Sequence, residues 1–175
     1  MPFARGDIIT INAVVPHQMR PSMRAKVVRV FRPSLDPGPF GGPPERIYMV
    51  AFDDGRVMQM PESCFEKEPA GHEASEPMKL IDLDAGTCRS IIDFLNLLRG
   101  AIGSPEWQGM SVDAFIDTML FGGAELQPPY TIRVRGISTL PAELAADIKD
   151  FINAIDDYIE RQCGPDRDER LEVAS

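Results

Sequence analysis

Along the first 66 residues, apolar and polar side chains alternate with a period of two in four short runs. These are GDIITINAV (6–14), RAKVVRVF (24–31), RIYMVAF (46–52) and RVMQM (56–60). Each is rich in β-branched or aromatic residues and bounded by turn formers, which predicts strands. Asp53-Asp54-Gly55 between the last two predicts a tight hairpin in which the glycine takes a positive φ. Residues 33–45, with five prolines and three glycines, cannot continue a strand and predict a long loop. Four or five short strands in this space predict a small all-β barrel.

The pattern then breaks. Residues 67–77 (KEPAGHEASEP) have no apolar periodicity and read as a linker. Beyond them the period becomes 3.6. MKLIDL (78–83) predicts a buried strand, and Thr87 a cap for a helix with Ile91, Phe94, Leu95 and Leu98 on one face, stopping at Gly100. Ser111 predicts the N-cap of a second helix with Val112, Phe115, Ile116, Met119 and Leu120 inward, ended by Gly122-Gly123. YTIRVR (130–135) predicts a strand. A third helix, from Pro141 to about Arg161, carries the stripe Leu144, Ile148, Phe151, Ile152, Ile155 and Ile159, with Glu143, Asp147, Asp150, Asp157 and Glu160 opposite. The order strand–helix–helix–strand–helix needs parallel crossovers, so residues 78–161 predict an α/β domain with helices packed on a small parallel sheet. Residues 162–175 read as a tail.

Composition narrows the function. Residues 78–160 hold 6 basic and 13 acidic side chains, net −7 of the chain's −9. Such a surface repels phosphate backbones and attracts cationic ones, which argues against direct nucleic-acid binding. No apolar run approaches the ~20 residues that span a bilayer, and the start lacks the features of a secretory leader, so the expected location is the cytoplasm. Cys64, Cys88 and Cys163 have no disulfide or zinc spacing and read as reduced thiols. With only His17 and His72, both in loop-like sequence, nucleophilic catalysis lacks a base. The expectation is a protein that is not an enzyme and needs neither metal nor cofactor.

One constellation stands out. Asp113 and Asp117 are four residues apart on the second helix, ~40° apart around its axis. No lysine or arginine occurs between Arg99 and Arg133 to pair with them. Beside Trp107, such a pair fits a docking surface for a basic protein. Carboxylate pairs also serve as acid and base or as metal ligands, but no third ligand or nucleophile lies nearby. Pattern alone favours two solvated aspartates.

Two resemblances add to this. KVVRVF…RIYMVAFDDGRVMQMPESCFEK resembles SH3-like and Tudor-like barrels, in which a Phe-Asp-Asp-Gly-type hairpin precedes a last short strand. Tudor domains hold methylated cations in an aromatic cage. Phe31, Phe40, Tyr48, Phe52 and Phe65 would be the candidates, but they alternate with apolar neighbours and read as core. More specifically, PEWQGMSVDAFID (105–117) resembles the barstar family, intracellular inhibitors of barnase-type ribonucleases. The family pattern is Pro-Glu-aromatic-x-Gly-x-Asn-(aliphatic)-Asp-Ala-(large apolar)-x-Asp. The element order from 78 to about 160 follows the family too; the apolar closing strand that the resemblance implies after the last helix has only Leu171 to Ala174 as its candidate.

The resemblance implies a protein that plugs the active site of a basic ribonuclease or similar toxin with an acidic helix and the loop before it. Asp117 matches the family's key carboxylate, Asp113 its acidic neighbour, Trp107 the tyrosine of the docking loop and Gly109 that loop's glycine. At open positions of the pattern, Ile116 stands where the family's best-known member has a large aromatic, Gln108 replaces a second aromatic and Met110 replaces an acid. The alternative reading is a modular interaction protein in which the SH3-like barrel recognises the partner and the α/β domain is a scaffold.

Overall fold

The computed structural model describes residues 3–32, 45–66, 71–73, 77–121, 123–164 and 167–174. Phe40, Gly122, nearly all of the proline-rich loop and much of the expected linker lie outside the described residues. The chain divides into two compact units, one of Met1–Glu76 and Gln162–Gly164, the other of Pro77–Arg161 and Pro165–Ser175.

In the first unit the period-two runs form strands β1 (Asp7–Thr10), β2 (Arg24–Val30), β3 (Ile47–Ala51) and β4 (Val57–Pro61). A two-residue strand, β5 (Gly71–His72), completes an antiparallel sheet ordered β4-β3-β2-β1-β5. Among the described residues no pairing joins β4 to β5, so the expected barrel is an open sheet here. Its edges are a strand of two residues and one ending in proline, which has no N–H to donate.

β5 lies inside the segment 67–77 that reads as a linker. Gly71 and His72 lie against Ile8 and Asp7, and the Glu73 N–H donates to the Gly6 carbonyl (2.8 Å). The free edge of β1 offers backbone partners that polar sequence can take as well as apolar sequence. Phe31, Tyr48, Phe52 and Phe65 are all buried. Tyr48 and Phe65 stack edge to face with each other and with Phe3 at 5.5–5.8 Å, so among the described residues these rings form a core and not a cage.

The second unit has three parallel strands ordered β6-β7-β8: β6 (Lys79–Asp84), β7 (Tyr130–Arg135) and β8 (Glu169–Val173). Helices α1 (Ile91–Ile102) and α2 (Val112–Phe121) lie in the first crossover and α3 (Ala142–Cys163) in the second. The α3 stripe is buried at Ile148, Ile152, Ile155 and Ile159, while its acidic side faces solvent. Phe151 stacks edge to face on Phe94 of α1 (6.2 Å) and Phe115 of α2 (5.5 Å), joining the three helices.

Two helix ends move from their expected places. Ser90, not Thr87, caps α1: its hydroxyl accepts from the Asp93 N–H, and the Asp93 carboxylate accepts from the Ser90 N–H. Thr87 sits in a turn closed by the Cys88 N–H on the Ala85 carbonyl. At the other end, α1 passes through Gly100, which is exposed and crowded by nothing, and stops at Gly103 (φ +63). Any Cβ at Gly103 would meet Glu125 at 2.6 Å, so position and conformation both require glycine. The closing strand β8 is fastened to α3: Asp156 accepts from the Leu171 N–H (3.1 Å) and from Arg167, which also donates to Glu160 (3.0 Å).

Candidate functional site

α2 starts where the sequence predicts. The Ser111 hydroxyl accepts from the Ala114 N–H (3.2 Å), giving one orphan donor of the first turn a partner. Phe115, Ile116, Met119 and Leu120 are buried, which fixes the helix rotation and leaves Asp113 and Asp117 exposed. Among the described residues neither carboxylate has a hydrogen-bond or ion-pair partner. Over residues 100–132 the charged side chains are Glu106, Asp113, Asp117 and Glu125, with no cation. Asp113 faces the positive end of the helix dipole, whereas Asp117, a turn further in, gains little from it.

The preceding loop shows Trp107 to solvent at 83 % exposure, an unusual position for the chain's one tryptophan. Beneath it the Gln108 N–H donates to the Pro105 carbonyl (3.0 Å). Gly109 lies so close to α2 that a Cβ there would stand 3.3 Å from that of Ala114. Trp107, Gly109, Asp113 and Asp117 therefore belong to one loop–helix segment, and all four are exposed.

Two residues of this segment escaped sequence reasoning. Gln108 is 6 % exposed and its Nε2 donates to the Ala114 carbonyl (3.2 Å). Thr118, also buried, donates its hydroxyl to the same oxygen (3.0 Å). A polar residue in a loop reads as solvated, so the only signal for Gln108 was its standing where the family's best-known member has an aromatic.

The acidic side of α3 is partly committed elsewhere, since Asp156 and Glu160 hold Arg167. The ends of β6 and β7, where open α/β sheets often take ligands, form a shallow groove. There Arg135 is paired to Asp82 (2.8 Å) and Asp84 accepts from the Gly86 N–H (2.9 Å). Among the described residues no group of three or more His, Cys, Asp or Glu side chains could hold a metal. Burial, and secondarily nearby carboxylates, pushes the Cys64 and Cys88 thiols up, so both stay protonated at neutral pH and neither is an activated nucleophile. Among the described residues no helix is long and apolar enough to cross a membrane. What the segment offers chemically is a fixed pair of negative charges with an aromatic beside them.

A search of the curated proteins finds no match. Comparison with family models matches residues 78–174, more than half of the chain and all three strands of the parallel sheet, to the family described as Barstar (barnase inhibitor).

Proposed function

This chain belongs to the barstar family, and from that premise we propose that it binds a basic ribonuclease, or a toxin with a similar cationic cleft, and blocks its active site with α2 and the loop before it. The family is one of inhibitors rather than enzymes. The observation that carries the finer reading is the exposed Asp113–Asp117 pair, free of any cation of its own among the described residues. A ribonuclease cleft is built to hold phosphates. Two carboxylates on a rigid helix meet the same cations, and the surrounding acidity steers the partner inward. Trp107 supplies the large, semi-rigid apolar contact that anchors such interfaces. A cytoplasmic location, where a host needs protection from its own nuclease, belongs to this reading.

The test is binding to a panel of basic ribonucleases by calorimetry or inhibition of RNA cleavage. With an identified partner, Asp117→Ala should weaken binding at least tenfold, about 1.4 kcal/mol. Unchanged affinity would show that α2 is not the interface.

For the first unit we propose an SH3-like module. Its first four strands follow one another as a meander over a single aromatic core, and after a 3-10 turn at Glu62–Cys64 the chain returns to the far edge, where β5 pairs with β1. Removing residues 1–70 should leave most of the inhibitory affinity. Loss of binding on that deletion, with the second unit still folded, would instead make this module the recognition unit.

A further inference from the structure

We infer that Gln108 is the positioning residue of the recognition surface, its buried side chain tying the loop that displays Trp107 to the first turn of the helix that displays Asp113 and Asp117. The purpose assigned to it rests on the inhibitor reading; the geometry does not.

A glutamine between two exposed residues would ordinarily lie in water. Here it is 6 % exposed, and burying an amide is unfavourable unless its groups are bonded. Only half of it is: Nε2 reaches the Ala114 carbonyl, while Oε1 is buried without a partner among the described residues. The helix does not need the bond, because the same carbonyl already accepts from the Thr118 hydroxyl. A half-bonded buried amide adds little to global stability. It does cross from loop to helix, and with the Gly109–Ala114 contact it leaves the loop one position on α2. Trp107 is thus held before a partner arrives, which reduces the ordering cost of association.

Because Trp107 is the chain's one tryptophan, its fluorescence reports the loop directly and without a partner. The full chain is compared with Gln108→Met, which keeps the volume but removes both the donor and the orphan oxygen, and with Thr118→Val, which removes the hydroxyl that donates to the same carbonyl. In Gln108→Met the amplitude of nanosecond depolarisation of Trp107 should roughly double, with the thermal midpoint nearly unchanged. In Thr118→Val the depolarisation should stay as in the native chain. Equal Trp107 motion in native and Gln108→Met, or equal loosening by Thr118→Val, overturns the assignment. Should Gln108→Met not fold, amide exchange in the native chain decides. Slowed exchange of the Gln108 side-chain amide protons, which make the bond to the Ala114 carbonyl, supports the tether, and exchange of those protons at the free rate refutes it. These readouts need no ribonuclease, so their failure is distinct from failure of the inhibitor reading.

Discussion

The ring of Phe151 meets that of Phe115 edge to face at 5.5 Å, with the planes 88° apart. Phe115 lies between Asp113 and Asp117 in sequence and on the opposite side of α2, so this contact seats the helix while the carboxylates stay in water.

Phe115→Ala should therefore cost about 3–5 kcal/mol, the range for emptying a large aromatic site in a core. Phe151→Leu, which keeps most of the volume of a half-buried side chain, should cost about 1 kcal/mol. Urea denaturation of each variant measures both. Similar small losses at both positions would mean that the three helices do not share this core.

Electrostatic attraction should set the rate of complex formation. Raising ionic strength from roughly 0.05 to 0.5 M should slow association about tenfold, since screening shortens the reach of exposed charges. In the double variant Asp113→Asn, Asp117→Asn this dependence should be clearly shallower. Stopped-flow mixing, monitored through Trp107, provides the measurement.

The Arg167 clasp should govern how firmly β8 is held. Its side chain is 8 % exposed, and through Asp156 it shares a carboxylate with the Leu171 N–H. Arg167→Met should cost about 1–3 kcal/mol, discounted because Asp156 keeps some contact with water. Amide exchange at Leu171 should accelerate more than at Ile132 on the central strand.

In the first unit, acid should release one specific contact. The Arg20 guanidinium, with the Arg56 N–H as a lesser partner, pulls the Asp54 carboxyl down to about 2. A lowered carboxyl pKa gives a contribution that is complete above the ordinary range near 4 and disappears as pH falls through about 2. A carboxyl NMR titration should place the Asp54 midpoint near 2 in the native chain and near its ordinary value in Arg20→Gln.

The parts of this structure that could be read from sequence are those with a strong period. The stripes of α1, α2 and α3 and the run of β7 were visible because each buries one face. β8 was legible only as a brief apolar stretch, since Glu169, Arg170 and Glu172 interrupt it; yet Glu169 is 1 % exposed and Leu171 is buried. β5 has no pattern at all, being two residues held by backbone pairing. The α1 cap and stop fell at Ser90 and Gly103 rather than Thr87 and Gly100, because a side-chain bond and a distant Glu125 decided them. Asp113, Asp117 and Trp107 could be singled out in advance because unpaired charge and helical spacing are sequence properties. The burial of Gln108 could not, because it depends on how a loop folds back on its own helix.

The segment from Pro105 to Thr118 lies within a crossover between strands, and its internal bonds close on themselves around Ala114. It is a cassette. Transplanted as a block into a scaffold of the same topology it should carry its target preference along, whereas piecemeal swaps of single positions would break the fastening that aligns them. On the inhibitor reading proposed above, fourteen contiguous residues would carry the target preference while the sheet and the long helix stay as they are.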